Sequence, residues 1–377
     1  LFYKKTCDIL KKINQIEPHM DDKEKKELIS VINSGWFTEA SKTRQFEKMF
    51  ADFVGAKYAI AVTSGTTALY VGLKALGIVT DDQVIVPDLT FVASPNAVKQ
   101  AGAKPVLVDI EPNSLNIDIT KLKSLITKRT KAIMPVDFNG RSANILKLKE
   151  FAHENNLMLI EDACHAIGSY HENKHMGTLS DVAAFSFSTP KIITTGQGGM
   201  IITNDKKIND RCLALKDFGR DINAKQNMRK AFHHTEIGYN FKFTEFQAAV
   251  GIAQLKKLKK RIRLKKNMLR LYMDLLSPIK QVQFIKTDLK NITPWMIDVL
   301  LKSKKQKNNL IMFLNKRKIE ARIFYPPIHS LQPYKERDNN YKVASDISSR
   351  GLWLPSSVSL NEKQIKRVCN EINNFFI

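Results

Sequence analysis

The chain reads as an α/β protein, a mostly parallel sheet with helices packed on it, followed by a smaller α+β unit. Three observations carry this. Between about Ser64 and Asp205, short β-branched runs alternate with segments of helical period, as strands joined by crossover helices do. Polar residues that look out of place in an apolar core fall at the ends of those runs. After Asn240 the pattern becomes long and helical through about Leu276, and then mixed to the end.

The runs in order are VIVP at 84–87, PVLVDI at 105–110, KAIMPV at 131–136, LMLIED at 157–162, VAAFSF at 182–187 and GMIITND at 199–205. Each is short, apolar and β-branched, as a strand covered on both faces must be. Their polar ends are Asp88, Asp109, Asp137, Asp162 and Ser186. Ligands of open α/β sheets gather at the carboxyl ends of the strands, so these positions mark the expected site. The helical stretch after Asn240 interleaves apolar and basic residues and reads as a linking helix. We divide the chain into an N-terminal arm and large domain, 1–245, and a linking helix with a small C-terminal domain, 246–377.

At 377 residues, 43% of them hydrophobic, the chain can bury two sizeable cores. Its cysteines, Cys7, Cys164, Cys212 and Cys369, form no CxxC pair, so neither a zinc cage nor a disulfide framework is indicated. A reducing, cytoplasmic setting fits. No stretch approaches the roughly 18 apolar residues of a membrane span. The net charge of +23 invites a nucleic-acid reading. Lysine is scattered over nearly every predicted helix, however, beside abundant Ile and Asn, and no nucleic-acid-binding motif appears. Such a surface favours anionic small substrates instead.

Two motifs mislead. His171-Glu172-Asn173-Lys174-His175 matches a zinc-protease pattern that works only on a helix, yet it lies between Gly168 and Gly177 with the composition of a turn. We assign no metal. Ser188-Thr189-Pro190-Lys191 matches the SxxK of serine acylases, but Pro190 falls inside what must be a helix.

Asp162 and Lys191 make a more productive pair. A carboxylate at one strand end and a lysine in a Gly/Thr-rich turn after another are what a pyridoxal phosphate (PLP) site needs. The ring nitrogen must stay protonated for the ring to act as an electron sink, and the aldehyde must be held by an amine.

With these residues in place, the chain resembles the sugar aminotransferases of the DegT/DnrJ/EryC1/StrS family. The resemblance rests on SGWFTEA at 34–40, SGTTAL at 64–69, VPDLTFVASPNAV at 86–98, GAKPVLVDIEP at 102–112, EDACHAIGS at 161–169, FSFSTPKIITTGQGGMIITND at 185–205, GYNFKFTEFQAA at 238–249 and YPPIHSLQPY at 325–334, in that order. It implies the fold-type I PLP-dependent transferase architecture, with a seven-stranded sheet.

The resemblance further implies that Lys191 holds the cofactor and, once freed by the substrate amine, moves the proton. Asp162 would pair with the ring nitrogen, and His165, where many relatives have Gln, would touch the phenolic oxygen. Gly65 and Thr66 would hold the phosphate at a helix N-terminus, with a hydroxyl from Ser186, and Phe91 would stack on the ring. Asn240 would reach the neighbouring subunit's cofactor, which makes a homodimer with shared sites obligatory. His329, His234 and Arg220 would border the sugar.

Gln197 replaces the usual Glu of TGEGG, and Asp137 with Asn139 stands where many relatives carry a His. Family dehydratases have His in place of the lysine, so Lys191 favours amino transfer. The implied reaction moves an amino group from L-glutamate to a nucleotide-linked 4-keto-6-deoxy sugar, in surface-glycan (lipopolysaccharide O-antigen) or deoxyamino sugar biosynthesis. FHHTEIGYN, IFYPPIHSLQPY and LPSSVSL resemble the perosamine-synthase branch, whose substrate is GDP-linked. EDACHAIG and KIITTG are similar to a branch acting on UDP-linked sugars, so UDP- or dTDP-linked substrates stay open. A non-catalytic PLP-binding regulator is the rival from another class, and intact Lys191, Asp162 and Ser186 speak against it.

Overall fold

The computed structural model describes residues 11–221 and 232–377, so Cys7 lies outside the described residues. Two helices, α1 (Asp22–Ser34) and α2 (Ser41–Val54), lead into β1 (Tyr58–Val62), α3 (Gly65–Ala75), β2 (Gln83–Pro87), α4 (Ala93–Gln100) and β3 (Lys104–Val108). Then come β4 (Thr130–Ile133), α5 (Ile145–Glu154), β5 (Met158–Asp162), a small hairpin of β6 (Tyr170–His171) and β7 (Lys174–His175), β8 (Val182–Ser186), β9 (Gly199–Thr203) and α6 (Lys206–Lys216).

Seven of these strands form one sheet in the order β1-β9-β8-β5-β4-β2-β3. Only β9 runs antiparallel to its neighbours. The other strands therefore deliver their carboxyl ends to one edge, where Ser64, Asp88, Asp137, Asp162 and Ser186 follow or close the strands. All six expected runs are strands, and the seventh strand is β1.

Apolar residues on one sheet face pack under α3, α4 and α6, with Leu69, Leu73, Val98, Cys212 and Leu215 buried. On the other face Phe46 and Phe50 of α2 meet Phe185 and Phe187 edge to face. The helix α7 (Glu245–Lys256) joins this second layer against α1 and α2. Its Gly251 faces the ring of Phe46, and a Cβ there would lie 2.8 Å from ring carbons, so only glycine allows this approach.

A second unit follows: α8 (Leu258–Leu276), β10 (Val282–Phe284), β11 (Ile297–Leu301), α9 (Lys304–Lys316), β12 (Arg322–Ile323), α10 (Lys342–Arg350), β13 (Gly351–Leu354) and α11 (Glu362–Phe376). Its four strands form an antiparallel sheet, β10-β11-β13-β12. Ile365, Val368, Cys369 and Ile372 recur along one face of α11 and are buried against this unit's core. The N-terminal arm joins this smaller unit: Ile13 N–H donates to the Lys318 carbonyl at 2.8 Å, and Ser356 N–H to that of Gln15 at 2.7 Å.

The two-residue turn of the β6–β7 hairpin is Glu172-Asn173, both at positive φ (46° and 65°). His171 and His175 therefore sit on a hairpin rather than on one face of a helix. His175 is buried and accepts from the Gly168 N–H at 2.8 Å. Among the described residues no His/Cys/Asp/Glu group is arranged to hold a metal ion, and no helix is long and apolar enough to cross a membrane.

Candidate active site

The carboxyl edge of the large sheet opens into a cleft of about 280 Å³. Ser64, Gly65, Thr66, Phe91, Asp162, His165, Ser186 and Lys191 all line it, so sequence positions spread over 128 residues meet in one place. The lining also includes Cys164, Gln197, Trp295, Arg322 and Tyr325.

Asp162 ends β5 and is buried. Its Oδ2 accepts from the Ser94 hydroxyl at 2.7 Å and its Oδ1 from the Cys164 N–H at 3.2 Å. The carboxylate is thus aimed and held as an acceptor at the cleft floor. Beside it, burial and the Asp162 charge push the Cys164 thiol well above its ordinary range, so it stays protonated.

Lys191 follows β8 in a turn, where its N–H donates to the Ser188 carbonyl at 3.0 Å. Burial lowers its amine from 10.5 to about 8, with Cys164 and Asp162 opposing the shift. Near neutral pH a usable fraction is therefore the free amine, the form that attacks an aldehyde. His165 is buried, and burial together with Lys191 holds it well below its ordinary pKa. The ring is neutral. Its Nδ1 faces the Asn139 N–H at 3.5 Å, which leaves Nε2 to carry the proton as a donor.

At the other end of the cleft, Ser64 caps α3 by accepting from the Thr67 N–H. The amides of Gly65 and Thr66 open the helix and have no intrahelical acceptor. A Cβ at Gly65 would lie 2.9 Å from Ser186 Cβ and 3.1 Å from Cys164 Sγ, so the helix start can close on the sheet only with glycine there. These amides and the Ser186 hydroxyl form a cradle suited to a phosphate. Phe91 is half exposed on the cleft wall, its ring 5.2 Å from that of Tyr325. A cradle for an anion, a buried carboxylate, a low-pKa amine and an open aromatic face are the set that PLP requires, and the residues present fit that cofactor.

Four expected residues lie elsewhere. His329 does not border the cleft: it is buried, its Nδ1 lies 2.7 Å from Asp88 Oδ2, and its N–H donates to Asp88 Oδ1 at 2.8 Å. Asp88 draws it inward, and Tyr341 stacks on it at 4.8 Å. Asn240, Arg220 and His234 also stand outside this chain's cleft. They share one ribbon, with Asp217 bridged to Asn240 and Arg220 to His234.

Sequence reasoning passed over Ser94, Trp295, Arg322 and Tyr325. Ser94 and Tyr325 fall inside segments already quoted, whereas Trp295 and Arg322 come from the smaller unit, where only the folded chain shows that they turn toward the cleft.

The model of the DegT/DnrJ/EryC1/StrS aminotransferase family matches residues 18–373. The chain is 35% identical to GDP-perosamine synthase of Escherichia coli O157:H7 over 368 residues, covering 97% of this chain and 99% of the relative. It is 36% identical to GDP-perosamine synthase of Vibrio cholerae, covering 96% and 98%. Among solved structures it resembles Helicobacter pylori PseC, described as an aminotransferase involved in the biosynthesis of pseudoaminic acid, with a TM-score of 0.89 at 28% identity over 97% of this chain and 99% of that one.

Proposed function

The chain belongs to the DegT/DnrJ/EryC1/StrS aminotransferase family, and from that premise we propose that this PLP-dependent aminotransferase carries an amino group from L-glutamate to the keto carbon of a GDP-linked 4-keto-6-deoxy sugar. The observation that carries the sugar is the near-full-length similarity to GDP-perosamine synthases of two bacteria. The likeness to PseC, and to a UDP-amino-sugar transaminase at 29% identity, makes a UDP-linked sugar the second reading.

Bound PLP supplies the electron sink. The residues supply the rest. Asp162 holds the ring nitrogen protonated, and His165 donates from Nε2 to the phenolic oxygen. The amides of Gly65 and Thr66 and the Ser186 hydroxyl grip the phosphate, while Phe91 covers the ring. Lys191 Nζ would bind the cofactor and, when displaced, would take and return the substrate proton as a base.

We further read the protein as a homodimer in which Asn240 completes the neighbour's site. Arg220 and His234 share its ribbon and would travel with it, which would bring them to the partner's sugar rather than their own. The exposed apolar side chains of Phe218, Phe232 and Ile237 on and around this ribbon support the reading, since such a patch favours a protein partner. A cytoplasmic location, where its cysteines stay reduced, completes the proposal.

A panel of GDP-, UDP- and dTDP-linked keto sugars, each assayed with glutamate and read by mass spectrometry, tests the choice of sugar. Amination of the GDP-linked substrate alone supports it, and turnover confined to a UDP- or dTDP-linked sugar overturns it.

A further inference from the structure

Trp295 lies between Thr293 and β11, in the smaller unit, yet it forms part of the cleft. It is only 3% exposed, and its indole is engaged on several sides. The Nε1–H donates to the Pro190 carbonyl at 2.8 Å, which fastens the peptide just before Lys191. Lys191 Nζ stands 4.1 Å from the ring centroid, over the face. The imidazole of His165 stacks on the same indole, centroids 3.9 Å apart and planes 23° from parallel. Trp353 packs against it at 5.8 Å and a steep angle.

The indole is anchored by its neighbour. Met296 N–H donates to Asn139 Oδ1 at 2.6 Å and the Met296 carbonyl accepts from Asn139 Nδ2 at 2.9 Å, so the large unit's Asn139 clamps the backbone beside Trp295 in both directions. Asn139 also offers its own N–H to His165. One tryptophan therefore touches the backbone of the lysine turn, the lysine amine and the histidine ring.

We infer that Trp295 is the positioning residue of this site: its face receives the Lys191 amine, its N–H holds the Lys191 turn, and its stacking fixes the His165 ring. A face rich in π electrons attracts an ammonium, most strongly where water is excluded. This attraction opposes the desolvation that otherwise strips the proton from Lys191, so the indole tunes the amine as well as placing it. The smaller unit thereby sets the geometry of two side chains carried by the larger one. The inference rests on Lys191 being the cofactor lysine, but its test does not require turnover.

Lys191 is faced by Asp162, Cys164 and His165 from the strand-end turn. Glu17, His19, Arg261 and Lys265 line a water-sized space together with Lys191, and Arg322 and Tyr325 line the cleft with it. These groups stay constant when only Trp295 is changed. The cofactor-free protein is treated briefly with an amine-acetylating reagent over a range of pH, and acetylation of Lys191 is read by mass spectrometry in wild type, Trp295→Phe and Trp295→Leu.

Loss of the aromatic face in Trp295→Leu removes a partner of the ammonium, so the midpoint for Lys191 acetylation falls by roughly one pH unit. In Trp295→Phe, which keeps a face but not the N–H, the midpoint stays nearer wild type. Equal midpoints in wild type and a folded Trp295→Leu overturn the inference. Should Trp295→Leu fail to fold, tryptophan emission of the wild-type protein is followed against pH beside Lys191→Met. A change centred near the titration of Lys191 that disappears in Lys191→Met supports the contact, and identical profiles overturn it. Absence of glutamate-dependent turnover would strike the proposed function and leave these readings as they are.

Discussion

The hydroxyl of Ser94, in the first turn of α4, donates to Oδ2 of Asp162 at the end of β5 at 2.7 Å. A helix that begins on the cleft wall thus orients the carboxylate of a strand two places across the sheet. Both groups are buried, where a hydrogen bond is electrostatically stronger than in water.

Ser94→Ala removes a hydrogen bond to a charged acceptor, worth about 1.5 kcal/mol or roughly a tenfold loss. The loss is expected in PLP affinity, measured by absorbance titration, with secondary structure unchanged by circular dichroism. Equal affinity in variant and wild type would show that Asp162 needs no such partner.

Gly65→Ala tests the phosphate cradle. The added methyl would crowd Ser186 and Cys164, and a strained fit at this density costs about 1–3 kcal/mol. PLP affinity should fall about tenfold or more, and inorganic phosphate should protect the wild-type protein from thermal unfolding more than the variant.

The pH dependence follows from Lys191. Its amine falls from 10.5 to about 8 in the fold, so covalent capture of PLP should speed up about tenfold per pH unit below about 8 and level off above it. Stopped-flow absorbance gives the profile, and Lys191→Ala should abolish capture. The sign for stability is also fixed. Between about 8 and 10.5 the unfolded chain binds the proton that the folded chain has lost, so this group's contribution to stability rises with pH across that window.

Asp88→Ala probes the join between the units. Asp88 accepts from both the backbone N–H and the ring Nδ1 of His329, and removing it strands two buried groups. Urea denaturation should show a loss of about 3 kcal/mol. A change within error would mean that the 325–334 segment holds its place without Asp88.

Much of the fold was legible because covered strands leave an unmistakable β-branched signature, and all six such runs are strands. β1, at the sheet edge, escaped the strand-by-strand reading because it precedes Ser64, where the alternation of strand and helix patterns begins. Asp162 and Ser186 stood out because strand ends converge at one edge of such a sheet, whereas Gly65 and Thr66 were picked out by the family resemblance, and all four line the cleft. Trp295 and Arg322 were not, since periodicity says nothing about which loop of a second unit folds back. His329 carried the opposite lesson: the family resemblance set it beside the sugar, but the two carboxylate oxygens of Asp88 engage its N–H and its ring away from the cleft.

In this reading the cleft carries amino groups from an amino acid to a sugar. The most direct test is a stepwise half-reaction on the purified, PLP-loaded protein. L-Glutamate alone should bleach the visible cofactor band with release of one 2-oxoglutarate per site, and GDP-4-keto-6-deoxymannose added afterwards should restore the band and yield the amino sugar. A folded, PLP-loaded protein whose band is unmoved by glutamate would contradict the claim.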